Sequence, residues 1–172
     1  MVRMGRCVVL LFLLLTLSCS SAHISGEVFT TVENGHVFPA AGADVLAIRS
    51  TGEKWLDFTR SLEEKRVQRK WHDAPAGIDI DFKSEGGYCS FLWHGGGLYY
   101  FGSHETATRT DRDGRFELKA SQGKLIVFVA GQAGSRCAVW ADEVSLGWRG
   151  QTIRLSSPLC TYQAEADPAH SC

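Results

Sequence analysis

The sequence feature that most constrains the fold is the run from Leu125 to Ala130, in which every residue is apolar. β-branched and aromatic residues dominate this run, and such residues favour strands. A strand with one face in water shows alternating polar residues, and this run has none. It therefore predicts a central strand that packs on both of its faces.

Shorter segments with strand character lie on both sides of this run. They are Val28–Val32, Ala43–Arg49, Ile78–Phe82, Thr106–Thr110, Arg115–Leu118, Ala138–Trp140 and Gln151–Leu155. Turn signals separate them: Asn34-Gly35 follows the first segment, and Asp113-Gly114 between two alternating segments predicts a hairpin. Short strands with turns between them predict a sandwich of about seven strands.

One stretch has the period of a helix instead. Trp55, Phe58 and Leu62 recur at steps of three and four residues, which places them on one helical face. Ser61 and Glu64 match a capping box, in which two side chains satisfy free backbone N–H groups where a helix begins. We expect one or two short helices here, inserted with a glycine-rich stretch into the β framework.

The first 22 residues have the features of a secretory signal peptide. Two arginines precede the apolar run Cys7–Leu17, which is shorter than the roughly 20 residues needed to span a bilayer. Two cleavage sites stay open. One lies after Ala22, and the other lies ahead of Cys19, where Thr16-Leu17-Ser18-Cys19 resembles a bacterial lipobox that would make Cys19 a lipidated first residue.

About 150 residues remain after the signal peptide, which is typical of one domain. We expect a sandwich domain over residues 23–160, with the insertion at about 50–104, and a C-terminal tail over 161–172. The expected location is the periplasm, the outer membrane as a tethered protein, or the medium, in a bacterial setting. Membrane attachment is expected only through a lipid on Cys19.

Four cysteines remain once the signal peptide is removed, and an even number in an oxidising compartment predicts disulfides. They are Cys89, Cys137, Cys160 and Cys172. Three pairings are possible. We favour Cys160 with Cys172, which would hold the tail, and Cys89 with Cys137, which would tie the insertion to the domain. The chain has no CxxC pair, so a metal site is not favoured.

The charge composition argues against a nucleic-acid partner. Lys and Arg number 18 and Asp and Glu number 19, which gives a net charge of −1 at pH 7. The one basic cluster, within residues 65–70, follows two glutamates, so there is no basic stripe of the kind that binds phosphate backbones.

Two motifs resemble those of a known family. Gly26-Glu27-Val28, followed by the segment from Pro39 to Val45, is similar to the opening of carboxypeptidase regulatory-like domains, which is G-x-V and then P-x-x-G-A-x-V. Thr110 to Leu118 resembles their second hallmark, T-D-x-D-G-x-F-x-L. The resemblance covers residues 25–49 and 104–156.

These domains are small β-sandwiches of transthyretin-like topology. The resemblance therefore implies a mainly β fold, an antiparallel Greek-key β-sandwich, here with a helical and glycine-rich insertion that departs from the family pattern. It also implies a non-catalytic accessory or structural module, because catalysis in carboxypeptidases belongs to a separate domain. It implies no catalytic residue, no metal and no cofactor.

The aromatic middle of the chain gives the sharpest binding hypothesis. Trp71, Trp93, Tyr99 and Tyr100 offer flat rings beside polar groups, which suit sugar rings or apolar peptide side chains. The alternative is that these rings pack the insertion against the sandwich.

Hypotheses of catalysis and metal binding are weaker. His94-Gly95-Gly96-Gly97 matches the oxyanion loop of some esterases, but the chain has no G-x-S-x-G nucleophile elbow. Asp111 and Asp113 resemble the start of a calcium loop that lacks its later acid, and a turn in which they accept backbone N–H groups explains them better. A metal-dependent hydrolase would require His94, His104 and an acid to converge.

The function expected from the sequence is that of an exported, non-enzymatic module of the cell envelope or the medium, with a structural or binding role. The alternative is a carbohydrate- or peptide-binding protein that uses the aromatic insertion. The partner would then be a carbohydrate, a peptide or a protein of the cell envelope.

Overall fold

The computed structural model describes residues 21–31, 35–68, 70–74, 78–81, 89, 92 and 103–163. Within them the chain is mainly β with one long helix, α1 (Glu53–Gln68). The strands are β1 (Ser21–Thr31), β2 (Val37–Pro39), β3 (Asp44–Arg49), β4 (Lys70–Ala74), β5 (Ile78–Asp81), β6 (Thr106–Arg109), β7 (Arg115–Ser121), β8 (Gly123–Ala133), β9 (Arg136–Leu146), β10 (Gln151–Leu155) and β11 (Cys160–Gln163).

The strands form a two-sheet β-sandwich, which confirms the predicted fold class. In the four-stranded sheet β1 is central, with β10 along one edge and both β7 and β2 along the other. The five-stranded sheet has the order β11-β9-β8-β3-β6 and is antiparallel throughout. β4 and β5 form a separate two-stranded sheet. The Greek-key order of the connections stays a prediction.

One pair of strands departs from the antiparallel pattern. β10 runs parallel to β1, from Gln151 opposite Ile24 to Leu155 opposite Val28. The turn after β9 takes the chain from the five-stranded sheet to the four-stranded sheet, so β10 enters beside β1 in the same direction. Sequence alternation predicts which residues of a strand face inward, but it does not specify the neighbouring strand.

The inner faces of the two sheets share one apolar core. Its largest members are Ile24, Val28, Val45, Phe116, Leu118, Leu125, Val127, Val129, Trp140, Val144, Leu146, Ile153 and Leu155. Gly26 faces the same core, and a Cβ at this position would lie 2.6 Å from the Phe116 ring. The glycine of the G-x-V motif therefore leaves the space in which Phe116 packs across β1.

A second apolar cluster covers the outer face of the five-stranded sheet. Its buried members are Ile48, Phe58, Cys89, Leu92, Ile126, Phe128, Val139 and Cys160. Phe58 comes from α1, and Trp55 and Leu62 of the same helix lie partly buried beside it. Burying a phenylalanine side chain stabilises a fold by about 1.5–3 kcal/mol. β8 is thus buried on both faces, as its apolar sequence predicts.

The helix confirms the helical period but not the predicted capping box. α1 is one continuous helix, and at its start the hydroxyl of Thr51 accepts a hydrogen bond from the backbone N–H of Lys54 at 3.4 Å. Ser61 and Glu64 lie well inside the helix, so a capping box at these positions is wrong. Among the described residues no helix is long and apolar enough to cross a membrane.

The favoured disulfide pairing is also wrong. Cys89 is bonded to Cys160, 71 residues along the chain, and Cys137 is disulfide-bonded as well. Cys89 and Cys160 meet because both are buried in the cluster on the outer face of the five-stranded sheet. The bond ties the insertion to the edge strand β11.

The hairpin predicted at Asp113-Gly114 does not form, although a turn is present. The N–H of Gly114 donates to the carbonyl of Asp111 at 3.1 Å, and Gly114 has a φ of +74°, which glycine adopts without strain. The strands on either side belong to different sheets, because β6 pairs with β3 and β7 pairs with β1. A turn signal specifies the local bend and not the strands that it joins.

The first strand begins before one of the two predicted cleavage sites. Ser21 lies opposite Ser121 and Ala22 opposite Ala120 in β7, and Ala22 is only 3% exposed. Cleavage after Ala22 would remove both residues from the sheet. A chain that begins at His23 would lack the first two pairings of β1 with β7. The position of cleavage stays a prediction.

We expect a chain that starts at His23 to be less stable than one that starts at Ser20. The free energy of unfolding should fall by about 1–2 kcal/mol, because a buried alanine and the first pairings of β1 are lost. Urea unfolding of the two chains measures the difference. Equal midpoints would contradict the structural role of Ser21 and Ala22.

Replacing Cys89 with alanine is expected to lower the free energy of unfolding by about 2–4 kcal/mol, since a closed loop is opened. The double variant Cys89→Ala/Cys160→Ala should lose no more than the single variant, because both remove the same bond. Denaturant unfolding and a non-reduced peptide map measure this. Additive losses, or a peptide that joins Cys160 to Cys172, would contradict the pairing.

Candidate functional site

The candidate site is a shallow groove of about 800 Å³ on the four-stranded sheet. It is lined by Ser25, Gly26, Glu27, Arg109, Thr110, Asp111, Arg115, Phe116, Glu117, Thr152, Ile153 and Arg154. Most of its polar side chains come from β1, β7 and β10, on the face that points away from the core. Among the described residues α1 packs on the other sheet, so this groove lies on the face that the helix does not cover.

A row of three charged residues crosses the centre of the groove. Strand register places Arg115 of β7 and Arg154 of β10 on either side of Glu27 in β1. The Nε atoms of the two arginines lie 3.4 Å and 3.7 Å from the two carboxylate oxygens of Glu27. One carboxylate therefore holds two guanidinium groups in a line across the sheet, and both arginine side chains stay largely exposed.

A row of hydroxyl groups lies next to this charged row. Ser25 precedes Glu27 by one outward-facing position and lies opposite Thr152 in register. Their hydroxyl oxygens are 3.0 Å apart, within hydrogen-bond distance. Glu117 lies opposite Ser25 on the other side. The groove thus presents a row of hydroxyl and carboxylate groups beside a row of guanidinium and carboxylate groups.

Phe29 fixes the position of Arg154. The guanidinium carbon of Arg154 lies 4.7 Å from the centroid of the Phe29 ring, which is the geometry of a cation–π contact. The arginine is therefore held both by the Glu27 carboxylate and by an aromatic face. A side chain with two such contacts needs little further ordering when a ligand binds.

The turn at one end of the groove is held by side-chain hydrogen bonds. Thr110 is buried, and its hydroxyl donates to the carbonyl of Ala40 and accepts from the N–H of Ala43. The carboxylate of Asp111 accepts hydrogen bonds from the N–H groups of Asp113 and Arg115, each at 2.9 Å. These contacts fix the chain where it passes from one sheet to the other.

The hydrogen bonds to Asp111 change its acidity. The backbone N–H of Arg115 is the largest cause and lowers the pKa of the Asp111 carboxyl below its ordinary value of 3.8, and the Asp113 N–H and the Arg115 and Arg112 charges add to it. The Asp111 carboxylate therefore stays ionised at neutral pH, and one of its oxygens accepts both hydrogen bonds within the turn. Within the described residues no group of three or more His, Cys, Asp and Glu side chains is placed to hold a metal ion.

Formal charges in the groove balance. Its lining includes three acidic residues, Glu27, Asp111 and Glu117, and three basic residues, Arg109, Arg115 and Arg154. Arg109 is itself paired with Asp44, at 2.7 Å between Nε and Oδ1. The lining residues alone therefore have no net formal charge, and Asp44 beside them compensates Arg109.

A separate charged cluster at the far end of the sandwich serves the fold. Arg49 contacts Glu105 at 2.7 Å and donates to the carbonyl of Gln122, while Glu105 accepts from the N–H of Ser121. Desolvation raises the pKa of Glu105, but the hydrogen bonds from Ser121 and the Arg49 charge outweigh it, so the net shift is downward. These contacts join the end of β3 to the turn between β7 and β8.

The residues that the sequence singled out for binding lie outside the part of the chain whose side chains are described. Trp93, Tyr99 and Tyr100 fall outside the described residues, and of Trp71 only the backbone, in β4, is described. Binding through these aromatic residues stays a prediction. Cys19 and His94 also lie outside the described residues, while His104 is described and exposed.

Sequence reasoning missed the charged row. Glu27 and Arg115 both stand inside the two family-like motifs, at positions where strand alternation points a side chain outward. That alternation was the available signal. It does not specify that β7 and β10 would lie on either side of β1, and so it does not bring Arg154 to the same carboxylate.

Comparison with known proteins identifies no family, and it identifies a solved structure that is distantly similar. No family model matches the chain, and no curated protein matches it significantly. One solved structure, of a protein from Pseudomonas aeruginosa proposed to bind carbohydrate, is similar at 14% identity and a TM-score of 0.46, over 81% of this chain and 90% of that one. A likeness at this level supports no argument about function.

Acid should weaken the turn through Asp111. Because the pKa of Asp111 is lower in the folded chain than in the unfolded chain, its contribution to stability is present above about pH 4 and is lost as the pH falls through the folded value. Asp111→Asn keeps an oxygen acceptor but has no such titration. Urea unfolding between pH 2.5 and 6 should therefore show a shallower loss of stability in acid for this variant. Parallel pH profiles would contradict the assignment.

Proposed function

We propose that this chain is an exported, non-enzymatic binding module and that its groove binds a neutral, polyhydroxylated ligand of the saccharide class. The observation behind the proposal is the row Arg115–Glu27–Arg154 with the Ser25–Thr152 hydroxyl pair beside it, on a sheet face that α1 leaves open.

The balance of charge favours a neutral ligand. An anion would gain most from unpaired guanidinium groups and a cation from unpaired carboxylates, and here each arginine of the row already faces Glu27. A neutral ligand avoids the cost of removing a charge from water without a counter-charge. Nothing in the formal charge of the groove selects an ionised partner.

The remaining hydrogen-bonding capacity favours hydroxyl groups. Each guanidinium has five N–H donors, and a carboxylate accepts on both oxygens, so the Glu27 pairings leave donors and acceptors unused. A sugar hydroxyl both donates and accepts, so it can bond to a guanidinium and to a neighbouring carboxylate or hydroxyl at once. Hydrogen bonds to charged partners contribute about 1.5–3 kcal/mol each.

Binding accounts for the groove better than catalysis does. The pKa of the Asp111 carboxyl in the groove is lowered, and this carboxylate accepts two backbone hydrogen bonds. A general acid at neutral pH needs a raised pKa. The proposal therefore assigns no reaction to these residues.

The resemblance to carboxypeptidase regulatory-like domains is part of the same proposal. Its two motifs lie on β1 and β7, which pair so that Gly26 is opposite Phe116 and Glu27 is opposite Arg115. Residues that sequence comparison selected separately thus contact one another in the fold. This supports membership of that family of accessory modules.

A second candidate function keeps the aromatic insertion as the binding site. It rests on Trp71, Trp93, Tyr99 and Tyr100, which suit sugar rings or apolar peptide side chains. Both candidate functions assume that the chain is exported, either lipidated at Cys19 or as a free protein. The experiment that follows separates the two sites.

A glycan array followed by calorimetry on the chain from Ser20 to Cys172 tests the groove. Neutral oligosaccharides should bind best, and Glu27→Gln should weaken them about tenfold or more, because it releases both arginines and removes an ionised acceptor. The same variant should gain affinity for acidic saccharides, since its groove carries an excess positive charge.

Glu64→Gln provides the matched control, because Glu64 is exposed on α1 and lies outside the groove. It should bind like the parent chain. Loss of binding on Trp93→Ala with no change on Glu27→Gln would transfer the function to the aromatic insertion. Absence of binding to every saccharide on the array would contradict the groove proposal and would leave only peptide binding for the aromatic insertion.

A further inference from the structure

The turn between β9 and β10 exposes a tryptophan. Gly147, Trp148, Arg149 and Gly150 form this turn, closed by a hydrogen bond from the N–H of Gly150 to the carbonyl of Gly147 at 3.1 Å. Trp148 is 73% exposed, the highest value among the large exposed hydrophobic residues of the described chain. The guanidinium of Arg149 stacks on the indole at 4.6 Å from its centroid.

The base of this turn packs against the start of β1. Gly150 has a φ of +76°, and a Cβ there would lie 2.6 Å from the carbonyl oxygen of His23. Only glycine fits so close to the backbone of β1, and Gln151 then lies opposite Ile24 in register. Trp148 is thus presented from a turn that is anchored at one end of the sandwich.

Basic and acidic side chains both lie at this end of the face. His23 lies directly opposite Lys119 across β1 and β7, and both are exposed. The outward neighbours toward the end of the sheet are Ser21 and Ser121, which also lie opposite each other. Glu117 is the next outward residue to Lys119 on β7, and Glu105 accepts a hydrogen bond from the Ser121 N–H, so Lys119 and Arg149 supply positive charge near the indole among acidic neighbours.

We propose that Trp148, Arg149 and Lys119 form a membrane-contacting surface that binds the interfacial region of a bilayer containing anionic lipid. An indole partitions to the boundary between headgroups and acyl chains, where its apolar ring is buried and its N–H stays in a polar layer. Each Lys or Arg near an anionic surface adds about 1 kcal/mol of attraction. This surface is separate from the saccharide groove.

β1 begins at the same end of the sandwich as the Trp148 turn, and this position supports a bilayer as the partner. β1 begins at Ser21, two positions after the lipidation candidate Cys19. A tether at Cys19 would therefore hold the Trp148 end of the sandwich toward the membrane. A lipid anchor at Cys19 and this surface would then contact the same bilayer.

Vesicle flotation of the chain from Ser20 to Cys172 tests the surface. This chain contains every described element of the sandwich and lacks both the signal peptide and Cys19. It should float with vesicles of phosphatidylglycerol and phosphatidylethanolamine, and less with pure phosphatidylcholine. Trp148→Ala should lower the partition coefficient about tenfold, and Trp148→Tyr should restore part of it. Arg149→Gln should lower it about fivefold on the anionic vesicles only.

Leu56→Ala is the matched control, because Leu56 is 61% exposed on α1, which packs on the other sheet. It should float like the parent chain. Three results would overturn the proposal: no flotation of the parent chain, equal flotation of Trp148→Ala, or an equal loss in Leu56→Ala. Glu27→Gln should float normally, so failure of the groove and failure of this surface remain distinguishable.

Discussion

Burial of β8 on both faces is the constraint on which the rest of the structure depends. One face of this strand enters the core between the sheets, and the other, with Ile126 and Phe128, needs a cover that a two-sheet sandwich alone does not provide. The insertion provides it through Phe58 of α1, and the Cys89–Cys160 bond holds the cover to the edge of the sheet. A disulfide that closes so long a loop chiefly restricts the unfolded chain.

Because the insertion covers the outer face of the five-stranded sheet, the outer faces of the two sheets have different roles. The outer face of the five-stranded sheet is buried and apolar, so it contributes stability. The outer face of the four-stranded sheet is polar, and its side chains are already ordered by contacts among themselves, such as those of Glu27 with Arg115 and Arg154. Because these contacts exist before any ligand arrives, binding there would require little loss of side-chain freedom.

The sequence predicted the elements well and their assembly less well. The apolar run of β8 and the period of α1 depend on local pattern, and the structure agrees with them. The partners of Cys89 and of Asp113-Gly114 depend on which strands become neighbours, and pattern does not specify this. For the same reason the sequence does not predict the groove. Strand alternation places Glu27 and Arg115 on an outward face, but Arg154 reaches Glu27 only because β10 pairs in parallel with β1.

An amide chemical-shift titration of the chain from Ser20 to Cys172, with the neutral oligosaccharide that binds best, would locate the binding site directly. We expect the largest shifts on β1, β7 and β10, at Ser25, Glu27, Arg115, Thr152 and Arg154, with little change in α1. Shifts confined to the insertion, or spread evenly over the chain, would contradict a binding site on the open face of the four-stranded sheet.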